Sequence, residues 1–310
     1  MGLRRNVLTA MVFTGLAFAP APYAFGEPFT IPGTEFRDIQ PAAGGEPFRI
    51  FIAKPSVPPR EAGYPVIYLT DANAMFATLV DTLRIRTGGP SSAVEPAVVI
   101  GLGYPTDRPF DVERRAFDLT PDTGGKPMPE RPNGKPWPKM GGADEFLAFI
   151  ENEIKPLIAS EVKIDTARET LVGHSFGGLF ALHVLFTRPD AFDAYVAGSP
   201  SIWYGERHID EEAKAFIARI GKEPVNADLL LTVGELEQVS PAGTPDAEKR
   251  AAWVANNRML DNTRDMRERL TGLEDKGLRL VYREFPGEGH ISVIPALISR
   301  AVPFAASRTN

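Results

Sequence analysis

The chain has no cysteine among its 310 residues. Disulfides, thiolate metal sites and a cysteine nucleophile are thereby excluded, while the redox compartment stays open. Histidine is scarce, with four copies, so imidazole chemistry has few places to reside. No cluster of lysine and arginine forms a nucleic-acid footprint, and the formal net charge is -6, which excludes nucleic acid as a partner. There is no H-E-x-x-H, no phosphate-binding loop and no G-x-G-x-x-G behind a strand, so neither a metal nor a nucleotide cofactor is expected. Beyond the N-terminal segment no apolar run is long enough to cross a bilayer, and no stable membrane span is expected in the mature chain.

What is present begins with a leader-like segment. Arg4 and Arg5 precede a short apolar run from Val7 to Ala19, and small residues follow at Ala24 and Gly26. This layout predicts a secretory signal peptide over 1–26 and a periplasmic or secreted mature chain over 27–310. An uncleaved anchor is the alternative, and the arginine pair leaves the export route undecided.

Apolar runs at 48–53, 64–69, 96–102, 169–174, 194–198, 227–233 and 278–285 read as strands. Helical patterns occupy 74–87, 143–160, 179–187, 210–220, 247–273 and 292–305. Strands alternating with helices predict an α/β fold with a mainly parallel central sheet and helices on both faces. The stretch 104–142 is rich in proline, glycine and charge, has no steady period, and is too long for a routine connection. It is expected to cap a site.

The strongest chemical signal is Gly173-His174-Ser175-Phe176-Gly177, which fits the G-x-S-x-G nucleophile elbow of the α/β-hydrolase fold. A strand precedes it and an apolar helix follows, the context such a turn requires. An incidental serine in a tight glycine turn is the bland alternative. Ser175 needs a base to remove its proton. His290, in a loop after the last strand, has the chain position of that base. His174 adjoins the serine and reads as structural or pocket-lining, His183 as packed in a helix, and His208 as a surface residue. The strand 227–233 ends in Gly234-Glu235-Leu236-Glu237, where a carboxylate could orient the imidazole. Glu237 fits the usual spacing better, Glu235 is the other candidate, and a Ser-His dyad remains open. The backbone N–H groups of Phe176 and of Asn73, or Ala72, are expected to form an oxyanion hole. Asp71 or Asn73 could equally cap the helix beginning there.

These segments resemble a known family. YLTDANAMF (68–76), RRAFDLTP (114–121), GGADEFLAFIENEIKPLI (141–158), LVGHSFGGLFALHVLFTRPDAFDAYVAGSPSIWY (171–204), TVGELE (232–237) and GHISVIP (289–295) are similar, in order, to the esterases that include enterochelin esterases and formylglutathione-hydrolase-like enzymes. The likeness is greatest to periplasmic siderophore esterases of the enterochelin and salmochelin type. It departs from the family at Ala72, where glycine is usual. The resemblance implies Ser175 as nucleophile, His290 as base, and hydrolysis of a tri-lactone siderophore or related bulky ester, with or without iron. Arg114 and Arg115 would then supply a cationic rim for an acidic substrate, Trp203 and Tyr204 an aromatic wall, and His174 part of the pocket. An acyltransferase on the same scaffold and a non-catalytic periplasmic ligand-binding protein are the rival functions.

Overall fold

Tyr64–Thr70 is buried at every position because helices cover both faces of the sheet through which it runs. Side chains alternate along it: Val66 and Tyr68 enter one core, Ile67 and Leu69 the other. The computed structural model describes residues 26, 29–89, 92–240 and 247–307; apart from Gly26, the signal-peptide reading lies outside them. The described residues from Ile31 onward form one compact unit.

The strands are β1 (Thr34–Ile39), β2 (Phe48–Ala53), β3 (Tyr64–Thr70), β4 (Val98–Gly103), β5 (Ile164–His174), β6 (Ala194–Gly198), β7 (Ala227–Gly234) and β8 (Leu278–Phe285). They form one sheet in the order β1-β2-β4-β3-β5-β6-β7-β8. β1 with β2 and β2 with β4 pair antiparallel, and the remaining pairs are parallel. The helices are α1 (Ala72–Thr87), α2 (Val112–Asp118), α3 (Ala143–Phe149), α4 (Lys155–Glu161), α5 (Phe176–Thr187), α6 (Tyr204–Arg207), α7 (Ile209–Ile220), α8 (Ala247–Asn257), α9 (Met259–Leu270) and α10 (Val293–Ala306). α1 and α10 cover one face, and α3, α4, α5, α7 and α9 pack in the core of the other. The α5 helix is buried from Phe176 to Phe186, which explains why it is apolar on every side.

Three expectations are revised. β1 (TEFRDI) was not foreseen, because it is a charged edge strand with one flank pairing; Arg37 bonds Glu35 and Glu161 there. The amphipathic stretch 143–160 is α3 and α4 joined by a π turn over Ile150–Ile154, just before Pro156, which has no N–H to continue the ladder. The long helix expected over 247–273 is two helices, α8 and α9. Arg258 breaks them apart at a left-handed φ of 45°, and the Asn262 amide satisfies the freed Asn257 carbonyl. The irregular segment also contains α2, capped by the Asp111 carboxylate on the Arg114 N–H.

Parallel pairing aligns the C-terminal ends of β5, β6, β7 and β8 on one edge. Ser175, Ser199, Glu237 and His290 all lie in the loops that leave that edge, the usual ligand side of an open α/β sheet.

Candidate active site

Ser175 makes the whole turn between β5 and α5, with φ 61° and ψ -115°. That conformation costs a residue with a β-carbon about 1–3 kcal/mol and persists only where the surroundings dictate it. They do so here: the Ser175 N–H donates to Gly198 O (2.9 Å), and its carbonyl accepts from Leu179 N–H (2.9 Å) and Ser201 N–H (3.1 Å). The flanking glycines are dictated by close approach. A β-carbon on Gly173 would lie 2.1 Å from the Gly177 carbonyl oxygen, and one on Gly177 would lie 2.3 Å from Thr70 Oγ1.

Ser175 Oγ is 3.0 Å from His290 Nε2, and His290 Nδ1 is 2.6 Å from Glu237 Oε2. The Glu237 side chain is fully buried, whereas the His290 ring is 38% exposed. The other Glu237 oxygen accepts from Ser199 Oγ (2.5 Å) and from the Gly234 N–H (2.7 Å). With donors on both oxygens, the carboxylate is fixed in position and compensated for its burial. The Leu236 N–H donates to Glu288 O (2.9 Å), which ties the loop of the acid to the loop of the imidazole. Glu235 points elsewhere, accepting the Gly287 N–H at 3.0 Å. Ser201 Oγ lies 3.4 Å from Ser175 Oγ. The arrangement can move a proton from the serine to an imidazole whose other nitrogen faces a carboxylate.

The N–H groups of Phe176, Ala72 and Asn73 donate to no other group among the described residues. Gly177 packs against Thr70 and Asp71, so the first turns of α5 and α1 adjoin. Neither expected cap forms at α1. Asp71 makes no capping bond, because its carboxylate takes Arg115 in a fork of 2.7 and 2.8 Å. The Asn73 side chain instead bridges the end of β4, donating to Tyr104 O and Thr106 O and accepting from Tyr104 N–H (2.9 Å each).

Four residues expected to meet substrate make bonds or packing contacts within the protein. Arg114 and Arg115 are neighbours on a helix and so project about 100° apart. Arg114 donates to Pro47 O at 2.6 Å, lies over the Phe48 ring and lines a cavity that Arg131 and Trp137 also line. Arg115 lies over the Phe176 ring at 5.3 Å, but its guanidinium is committed to Asp71. Tyr204 is buried, with its hydroxyl on Pro121 O at 3.0 Å. His174 is buried beneath His290, ring centroids 4.7 Å apart. Burial, helped by neighbouring His290 and Arg115, pushes its imidazole well below the usual range and keeps it neutral.

Trp203 does reach the site, 5.9 Å from Phe176 between ring centroids. Trp137 and Trp253 join it at 5.8 and 5.2 Å, and neither was anticipated. Their rarity was the available signal: these are all three tryptophans of the chain. Ser199 and Ser201 were also missed, although Ser-Pro-Ser directly after β6 marks the ligand edge of the sheet. The segment 104–142 lies beside the elbow through Arg115 and Trp137.

The family model described as "Putative esterase" matches residues 42–292. The ferri-bacillibactin esterase BesA of Bacillus subtilis is 45% identical over 278 residues, covering 89% of this chain and 91% of that protein. The siderophore triacetylfusarinine C esterase of Aspergillus fumigatus is 36% identical over 269 residues, covering 83% and 88%. Among solved structures, the siderophore hydrolase EstA from Aspergillus nidulans superposes with a TM-score of 0.78 at 35% identity, covering 94% of this chain and 98% of that one.

Proposed function

This chain belongs to the esterase family, a family of serine-type carboxylic ester hydrolases, and we propose that it hydrolyses the ester bonds of a siderophore. The observation that carries the chemistry is the unbroken contact from Ser175 Oγ to His290 (3.0 Å) to Glu237 (2.6 Å). Ser175 Oγ attacks the ester carbonyl carbon as its proton passes to His290 Nε2. The oxyanion is held by the N–H groups of Phe176 and Asn73. When the ester C–O bond breaks, the imidazolium returns that proton to the departing alkoxide. His290 then deprotonates a water, which attacks the acyl-enzyme; the acid leaves and Ser175 regains its proton. Glu237, donated to by Ser199 and Gly234, holds the imidazole and stabilises its cation.

Three relatives of high coverage have siderophore ester cleavage in their names, which supports that substrate class here. The test is turnover of p-nitrophenyl acetate and butyrate, a hydroxycinnamate ester, and a tri-lactone siderophore with and without iron, beside Ser175→Ala. Serine-dependent cleavage of the tri-lactone in preference to the simple esters is expected; cleavage of the simple esters alone would refute the siderophore assignment. We also propose export to the periplasm or medium, on the layout of residues 1–26. N-terminal sequencing of the expressed protein should begin near residue 27, and a retained Met1 would refute it.

A further inference from the structure

All three tryptophans of the chain, from three distant segments, meet in one half-buried cluster. Trp137 stacks on Trp253 at 6.0 Å and 30°, and Trp203 meets Trp253 edge-on at 5.2 Å. Phe176, the residue after Ser175, touches this cluster through Trp203 and through Trp137 at 6.4 Å. Anchoring the irregular segment would account for Trp137 on its own. It does not account for the cavity that Trp253 lines. That cavity, about 330 Å³, is lined by Arg131, Pro132, Asn133, Arg250, Trp253 and Val254.

Arg131, Arg250 and Trp253 line it, and among the described residues no carboxylate does, in a chain whose net charge is -6. Arg131 lies 5.2 Å over the Trp137 ring and donates to Pro136 O at 3.0 Å, which orients its planar fork. A fork held flat beside an indole suits a planar anion: charge-assisted bonds take the oxygens, and the indole takes the ring. The volume lies at the lower bound of small-molecule sites, about 300–1,000 Å³, so one aromatic arm fits and a whole tri-lactone does not.

We infer that Arg131, Arg250 and Trp253 form a binding subsite, separate from the Ser175 machinery, for a planar aromatic anion carried by the substrate. This deepens the proposed siderophore reading and rests on it for the identity of the whole ligand. It differs from the cationic rim expected at Arg114 and Arg115, whose guanidiniums bond Pro47 and Asp71. Three dianionic catecholates around Fe(III) leave a triply negative complex with aromatic arms outermost, and such an arm is the ligand these groups would take.

The probe is salicylate, with neutral salicylamide as its isostere, titrated calorimetrically into the full protein. Salicylate should bind in preference to salicylamide. The Arg131→Ala/Arg250→Ala variant should weaken salicylate by roughly tenfold or more, as loss of charge-assisted contacts does. Arg250→Glu, a change at an exposed helical position, should also weaken it without disturbing the Arg131 loop. In both variants p-nitrophenyl acetate turnover should stay within about twofold, while KM for an iron-loaded catecholate tri-lactone rises and kcat holds. Equal binding of salicylate and salicylamide, or salicylate affinity unchanged in both variants, overturns the subsite. Tri-lactone still cleaved in that event leaves the siderophore reading intact. Charge-selective salicylate binding with no siderophore cleavage supports the subsite and refutes the substrate assignment instead.

Discussion

Arg115→Ala should destabilise the protein far more than loss of a surface charge would. The Asp71 side chain is 1% exposed and that of Arg115 12%, and the pair is bidentate at 2.7 and 2.8 Å. Removing the guanidinium leaves a carboxylate in a low-dielectric site beside the elbow, a defect that costs about 3–5 kcal/mol. At roughly 2 °C per kcal/mol for a chain of this size, the melting midpoint should fall by about 6–10 °C. Asp71→Asn/Arg115→Met should recover most of that, because it removes both charges and keeps volume on each side. Asparagine also tolerates the left-handed backbone of Asp71, whose φ is 52°. Thermal and urea unfolding of Asp71→Asn, Arg115→Met and their double close a thermodynamic cycle that isolates the pair. If Arg115→Ala loses less than about 1 kcal/mol while ester turnover collapses, the buried-pair account is wrong and Arg115 serves the substrate.

Glu237→Gln should lower kcat by on the order of 10²–10⁴, since the buried anion facing His290 Nδ1 is lost, whereas Glu235→Gln should stay within about twofold. Steady-state kinetics on p-nitrophenyl butyrate check both, and the reverse order refutes the choice of acid. His183 should give stability that falls in alkali. Burial alone would lower its pKa, yet the hydrogen bonds it donates to Asp144 (3.2 Å) and Glu212 (2.9 Å) outweigh that and raise it to about 9. The folded value exceeds the ordinary one of about 6.5, so this stability is complete below about pH 6.5 and is lost as pH rises through about 9. The difference in melting midpoint between wild type and His183→Gln, followed from about pH 6 to 10, should shrink over that window; a constant difference refutes the linkage.

The strands were legible wherever burial on both faces made them continuous apolar runs, as at 64–70 and 227–234. β1 was not, because an edge strand with one paired flank carries charges that hide its period. Helix 143–160 showed its apolar face but not its π turn, which changes hydrogen-bond partners without disturbing the amphipathic pattern. The split between α8 and α9 was equally silent, since Arg258 bears no mark of its left-handed φ. Around the site, Gly173, Gly177 and the serine between them were readable because close backbone approach leaves no other residue type.

What the sequence by itself determined was therefore what local sterics and burial dictate: the alternation of strands and helices, the glycine-flanked turn at Ser175, and a last-loop histidine. Chain order narrowed the acid to two glutamates. Only the tertiary structure decided between their positions, because Ser199 and the Gly234 N–H, brought in by β6 and β7, fix Glu237 against His290. The tertiary structure likewise decided what holds the Arg114-Arg115 pair. Helix geometry sends the two side chains apart, and a buried Asp71 claims the second. The three tryptophans show the limit most clearly. Their positions at 137, 203 and 253 carry no mutual signal along the chain, and they meet only because the sheet and its loops bring distant segments together.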